Sequence, residues 1–308
     1  MPFFCDSEAS RVAIGEQLRV ALDERVDAGA FHVVEEGGKC LGFGILSPVS
    51  AERFGKPLIN GDFEFSLERV EVVDELLEWL AARSEVADET FIIHLGRAYR
   101  PLLGRLQGMG LGLDAIVVIG EVGPSLDRLV AATNPPPDLN HLGLSFKRLS
   151  SAQEVDAVIE LKRLVFSAQP EFCFFGAWPS YLACERGALL EGIGSSDPAW
   201  LIVRGGDILG YFSAHLSQEP PFWGSRAGLD VILHPSIQGQ GIIKTIYRTL
   251  LGELRDRGVR HFIGGTSQPS VLGLSKIMER ETLEYIVRPH ASFDLEHFGL
   301  KQPQGEAV

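Results

Sequence analysis

The chain has 308 residues, 45% of them hydrophobic and 22% charged, with a formal net charge of -13. This reads as an ordinary globular protein, long enough for two domains. The acidity argues against a nucleic-acid partner, which needs a basic face. No apolar run of about 20 residues offers a membrane span, so no membrane association is expected. The start, MPFFCDSEAS, lacks the basic and apolar regions of a signal peptide. Cys5, Cys40, Cys173 and Cys184 show no paired spacing. Reduced thiols in a cytoplasmic protein are therefore expected, with no disulfide framework and no metal.

In chain order, a helix is expected near residues 7–28, then a hairpin around Gly37-Gly38 and a strand in FEFSL. A helix in VEVVDELLEWLAARS, a strand in TFIIHL, a helix in AYRPLLGRLQGMG and a strand in LDAIVVIGEV follow. Residues 123–145 contain three consecutive prolines and little period, and read as a linker or strap. Past it, Phe146 to Leu149 is a strand, and Ser151 opens a helix with the capping-box pattern Ser-Ala-Gln-Glu. A helix over Ser180 to Glu191 and a hairpin around Gly205-Gly206-Asp207 come next. A strand then ends at Pro235, and an apolar stripe of Ile243, Ile246, Tyr247, Leu250 and Leu254 predicts a helix ended by Gly258. HFIGG, PSVLGLSKIMER and TLEYIVRPHASF give a strand, a helix and a last strand.

Both halves follow a similar order, as expected of a repeated α/β unit. The expected fold is therefore mixed α/β: two tandem domains, each a mostly antiparallel mixed sheet flanked by helices. Residues 1–122 form the first domain, 123–145 the linker, 146–300 the second, and 301–308 a flexible tail.

The chemistry concentrates in HPSIQGQGIIKT, residues 234–245, where a glycine-containing loop opens a helix. Such a junction points unpaired amides at one spot and holds anions. It is not a P-loop: Lys244-Thr245 fit that tail, but Gln238 and Ile243 stand where its glycines belong. Nor is it a dinucleotide fingerprint, since Lys244 occupies the place of the third glycine.

The region does resemble the loop of the GCN5-related N-acetyltransferases, Q/R-x-x-G-x-G/A. Gln238, Gly239, Gln240 and Gly241 match its first four positions, while Ile243 departs from the small residue at the sixth. The order of elements over residues 146–295 is also that family's. The resemblance implies direct transfer of an acyl group from acetyl-CoA, or another acyl-CoA, to a small-molecule amine acceptor. It assigns the cofactor to Ile232, Leu233, Gln238, Gly239, Gln240, Gly241, Ile242, Ile243, Lys244 and Gln268. An amide at Ile232 or Leu233 would polarise the thioester. No glycine stands between FEFSL and the following helix of the first half, so that half reads as a degenerate, non-catalytic copy.

For the general base the candidates are Asp230, His215 and His234, with Asp230 favoured because burial in an apolar strand would make it more basic. The family's acidic tyrosine is missing from PSVLGLSKIMER, which leaves Ser275 within that helix and Tyr285 on the next strand. Phe174, Phe175 and Trp178, with Phe172 and Tyr181, either line an acceptor pocket or seal the two halves. Arg248, Arg255, Arg257 and Arg260 would be the cue for an acyl-carrier-protein donor. A catalytically silent ligand-binding module is the alternative, favoured by Ile243 and the missing tyrosine. Nothing in the sequence fixes the oligomeric state, and a dimer is compatible with it.

Overall fold

The computed structural model describes residues 31–49, 58–65, 71–82, 91–132, 137–169, 175–217, 225–266 and 269–289. The expected helix near residues 7–28 and the tail 301–308 lie outside them. The chain divides into two compact units, with boundaries at Val117/Val118 and Glu281/Thr282.

In the first unit, Gly37 and Gly38 take φ of 60° and 76° and turn β1 (Phe31–Glu36) into β2 (Lys39–Val49). Glycine is needed there because both turn positions are left-handed. β3 (Leu58–Phe65) pairs antiparallel with β2. Helix α1 (Glu71–Ala81) then buries Val72, Val73 and Leu76, and β4 (Phe91–Gly96) lies parallel to β3. A 3-10 segment (Arg97–Leu102) and a short α2 (Leu103–Gly108) lead to β5 (Leu111–Glu121), which crosses the boundary between the units.

The second unit begins with a helix where a linker was expected. Helix α3 (Val122–Ala131) buries Val122, Leu126 and Leu129, an i, i+4, i+7 stripe. Pro124 sits in its first turn, where no intrahelical N–H is lost. The three prolines fall beyond its end. β6 (Ser145–Arg148) follows, then α4 (Ala152–Ala168) with both capping-box bonds formed: the Glu154 amide donates to Ser151 Oγ at 3.3 Å, and the Ser151 amide donates to the Glu154 carboxylate at 3.1 Å. Burial alone would raise the Glu154 pKa, but the Lys147 ammonium and the Ser150 donors bring it down to about 2.

Helix α5 (Pro179–Gly192) precedes the hairpin of β7 (Ala199–Arg204) and β8 (Asp207–Ser217). β9 (Arg226–Leu233) pairs antiparallel with β8, α6 (Ile243–Asp256) crosses over, and β10 (His261–Thr266) returns parallel to β9, followed by α7 (Pro269–Ile277). The sheet of this unit runs β6-β7-β8-β9-β10. One face carries the main core: Phe212, Ala227 and Phe262 against Ile246, Leu250 and Leu254 of α6. The other face packs Leu201, Tyr211 and Ile232 against Val158, Leu161 and Val165 of α4.

The last strand, β11 (Glu281–Pro289), was expected to close the second half. Instead, from Thr282 onward it clusters with the first unit, antiparallel to β4 with Tyr285 opposite Leu95. An ion pair from Arg288 to Asp114 at 2.6 Å and a hydrogen-bond contact between His94 and Glu284 at 3.1 Å hold it there. Burial pushes the Asp114 carboxyl up even against the pull of Arg288. Each unit is thus a mixed sheet flanked by helices, antiparallel in its described pairs except for β3/β4 in one and β9/β10 in the other.

Candidate functional site

Between β9 and α6 the chain makes a 3-10 turn (Pro235–Ile237) capped by His234, whose Nδ1 accepts from the Ser236 amide at 3.1 Å. His234 is therefore occupied in holding the turn. Gly239 and Gly241 follow with φ of 72° and 75°, a conformation open to glycine at little strain. These two turns reverse the chain so that the loop amides lead into the first turn of α6. Among the described residues, the amides of Gly239, Gln240, Gly241, Ile242 and Ile243 donate to no backbone acceptor, and no side chain caps the helix. A Cβ built at Gly239 meets nothing within 4 Å, whereas one at Gly241 meets the Pro137 ring at 3.7 Å, so the loop is open at Gly239 and flanked by Pro137 at Gly241. Five unengaged donors at a positive helix end form an anion cradle without any arginine cluster.

The cradle adjoins a seam in the sheet. β9 and β10 pair over three positions only, from Arg226↔His261 to Gly228↔Ile263. Among the described residues, the β10-facing edge of β9 has no ladder partner beyond Gly228. The His234 amide donates to Leu209 O across the β8 ladder at 2.8 Å. Alternation then turns the amides of Leu229, Val231 and Leu233 toward the seam, and that of Ile232 toward β8. Gln238 Nε2 donates to Leu233 O at 2.9 Å, capping the one seam carbonyl nearest the loop. Of the two amides expected to polarise a carbonyl, Leu233 has the right direction and Ile232 does not; the Ile232 side chain is buried against Leu161 and Val165.

On the opposite face stands a charged cluster. Lys162 of α4 is 2% exposed, and its Nζ donates to Asp230 of β9 at 2.7 Å and to Glu185 of α5 at 2.9 Å. Burial alone would lower the Lys162 pKa, but Asp230 and Glu185 together raise it, so the ammonium stays charged. The Tyr211 ring lies 5.6 Å below it, and burial pushes that phenol up to about 12, leaving it protonated. Asp230 is 42% exposed, so one side of its carboxylate faces solvent while the other is held by Lys162. The expected desolvation of Asp230 is thus not what its surroundings provide. Farther along, Phe175 stacks edge-on with Tyr181 at 4.9 Å and with Trp178 at 6.3 Å.

Apart from Lys162 and Leu161, these features lie in one stretch of chain. Residues 165–271 match the acetyltransferase (GNAT) family. The match covers about a third of the chain and contains β9, the cradle loop and β10. No curated protein matches the chain. Among solved structures, a GCN5-related N-acetyltransferase from Sphaerobacter thermophilus is similar at 14% identity, over 82% of this chain and 77% of that one, with a TM-score of 0.48. A GNAT-family acetyltransferase from Colwellia psychrerythraea has 11% identity over 84% of each chain and a TM-score of 0.47. A tandem GNAT protein from the clavulanic acid biosynthesis pathway has 14% identity over 86% and 85%, with a TM-score of 0.45.

Of the other expected residues, Gln238 to Lys244 come together by continuity of the loop, and Ile243 packs partly buried against the α6 core. Ser275 is buried; its Oγ donates to Val271 O at 2.8 Å and accepts from the Arg280 guanidinium. A hydroxyl so engaged supports its own helix and is poorly placed to protonate a leaving group. Tyr285 is buried in the first unit on β11. His215 is exposed and meets Asp197 at 2.9 Å. Gln268 and Phe174 lie outside the described residues. Three of the four arginines proposed as a carrier-protein patch have local acceptors: Arg248 on Leu129 O, Arg255 on Asp127, and Arg257 on Glu253. Among the described residues no group of His, Cys, Asp or Glu has metal-site geometry. No described helix is long and apolar enough to cross a membrane.

The sequence reading missed Lys162 and Glu185. The available signal was a lysine inside the apolar stripe Val155, Val158, Leu161, Val165, where a charge needs a buried partner.

Proposed function

We propose that the second unit moves an acyl group from an acyl-CoA, acetyl-CoA first among them, to the amine of a small molecule. The observation that carries this is the run of unengaged amides from Gly239 to Ile243 beside the β9/β10 seam, within the segment that matches the acetyltransferase family. The cradle and the α6 dipole hold the pyrophosphate, and the pantetheine arm enters the seam. Acyl-CoA supplies an activated carbonyl and a thiol leaving group. The Leu233 amide donates to that carbonyl, and the Gln238 cap keeps a repelling carbonyl oxygen away from it. Asp230 receives the acceptor's ammonium. The C–N bond forms as the C–S bond breaks; the ammonium gives up two protons, one ending on the thiol and one in solvent. Water serves as the acid for the thiolate, since the Ser275 hydroxyl is committed elsewhere.

The first unit repeats the order hairpin, strand, helix, parallel strand, and lacks a glycine between β3 and α1. This supports a tandem arrangement with a non-catalytic first copy. The engaged Ser275 also favours a second reading, a ligand-binding module without turnover. Calorimetric titration with acetyl-CoA and longer acyl-CoAs, beside Gly241→Trp, tests the donor site. Micromolar binding lost in the variant is expected, and absence of binding by the unmodified protein overturns the proposal. Thiol release with added amines separates enzyme from binding module.

A further inference from the structure

The acceptor's chemistry can be read from the face of β9 that carries Asp230. Four elements converge there: Lys162 from α4, Glu185 and Tyr181 from α5, Tyr211 from β8 and Asp230 itself. The Lys162 ammonium meets two carboxylates, Asp230 and Glu185. Of the three, Asp230 is the one that reaches solvent: Lys162 and Glu185 are 2% and 18% exposed while Asp230 is 42% exposed. Tyr181 stands one helical turn before Glu185 on the same face of α5, and is itself close enough to Lys162 to influence it. From Tyr181 the aromatic surface continues to Phe175 and Trp178. A solvent-facing carboxylate on one strand, joined through Lys162 and Glu185 to the helix that carries the aromatic rings, suits an organic ammonium with an apolar arm.

Resting on the acyltransferase reading above, we infer that the acceptor is a primary ammonium bearing an apolar arm and no carboxylate. Asp230 takes the ammonium, Phe175, Trp178 and Tyr181 take the arm, and Lys162 is a positioning residue that fixes Asp230. An acceptor with its own carboxylate next to the amine would set that charge against Asp230 and Glu185. Lys162 never touches the acceptor. It presents one side of the Asp230 carboxylate outward and holds Glu185 on its own other side.

The test uses the full chain with 2-phenylethylamine and phenylalanine, which share the amine and the ring and differ by a carboxylate. Direct titration of each amine, without acetyl-CoA, reads the acceptor site alone. 2-Phenylethylamine should bind at least about tenfold more tightly than phenylalanine, a margin that a ligand carboxylate set against the exposed Asp230 carboxylate readily supplies. Asp230→Asn should abolish that preference while leaving acetyl-CoA affinity unchanged; the melting temperature should fall, because the buried Lys162 ammonium loses one of its two carboxylate partners. In turnover, Lys162→Met should move the acidic limb of the pH–kcat/KM profile upward by about one unit or more, as two carboxylates without a shared cation compete for one proton. Lys162→Arg should restore part of that shift, which a merely structural role would not produce. Equal binding of the two amines, or a preference that survives Asp230→Asn, overturns the inference even if acetyl-CoA binds. Loss of acetyl-CoA binding with the amine preference intact overturns the donor reading and upholds the acceptor site. If Lys162→Met fails to fold, the Asp230→Asn comparison decides alone.

Discussion

Gly239→Ala isolates one term in the cradle. A Cβ at this position meets nothing within 4 Å, so the methyl group causes no clash. What remains is the backbone: at φ 72° a non-glycine residue carries the left-handed penalty of roughly 1–2 kcal/mol. If the loop keeps its shape, the protein absorbs that cost. Melting should then fall by about 2–8 °C, using the usual scaling for a unit of this size. If the loop relaxes instead, the amides of Gly239 to Ile243 lose their common aim and acetyl-CoA affinity drops, while melting changes little. Either way stability loss and affinity loss together should reach the 1–2 kcal/mol scale, up to about thirtyfold in binding when all of it appears there. Gly239→Asn provides the control, because asparagine enters the left-handed region more readily, so its effect should be smaller than alanine's. Differential scanning calorimetry and acetyl-CoA titration on the three proteins measure both terms. An alanine variant that matches the parent in both assays, or an asparagine variant worse than alanine, would refute the reasoning.

Further outcomes follow from the ion pairs and the buried hydroxyl. Glu154 is held from its ordinary 4.5 down to about 2. Its contribution is therefore complete above about pH 4.5 and fades as pH falls toward 2, and Glu154→Gln should remove that acid sensitivity from urea melts and cost about 1 kcal/mol at neutral pH. Arg288→Met leaves the buried Asp114 carboxylate without its partner and should destabilise the protein by about 3–5 kcal/mol at pH 8. That deficit should shrink at lower pH as Asp114 takes a proton, and a pH-independent deficit would contradict the assignment. Ser275→Ala removes an acceptor from Arg280 and a bond to Val271, so it should lower stability by about 1–2 kcal/mol and leave kcat unchanged. A large fall in kcat would restore the hydroxyl as an acid.

Local signals carried most of the fold into the sequence. The capping box at Ser151–Glu154, the glycine pairs at 37–38 and 205–206, and the stripe from Ile243 to Leu254 each act over a few residues, and each element formed where its signal stood. Helix α3 was hidden because Gly123, Pro124 and the later prolines outweigh a short stripe, whose value comes from burial of Leu126 and Leu129 in the folded unit. The cradle was legible for the same local reason as the turns. The acceptor cluster was not: Lys162 lies 23 residues from Glu185 and 68 from Asp230, and no spacing rule joins a helix residue to a strand that distant. Tyr285 illustrates the limit of element order, since order places its strand after the last helix but names no partner, and the strand lies beside β4.

The placement of β11 has a consequence for how the chain is made. The second unit is one continuous run, Val118–Glu281, whereas the first needs residues from Thr282 onward to supply the strand beside β4. Synthesis proceeds from the N-terminus, so the later unit has all of its residues before the earlier one does. On the ribosome, β4 must wait with a bare edge through the translation of an entire unit. The second unit is thus the one that finishes folding first.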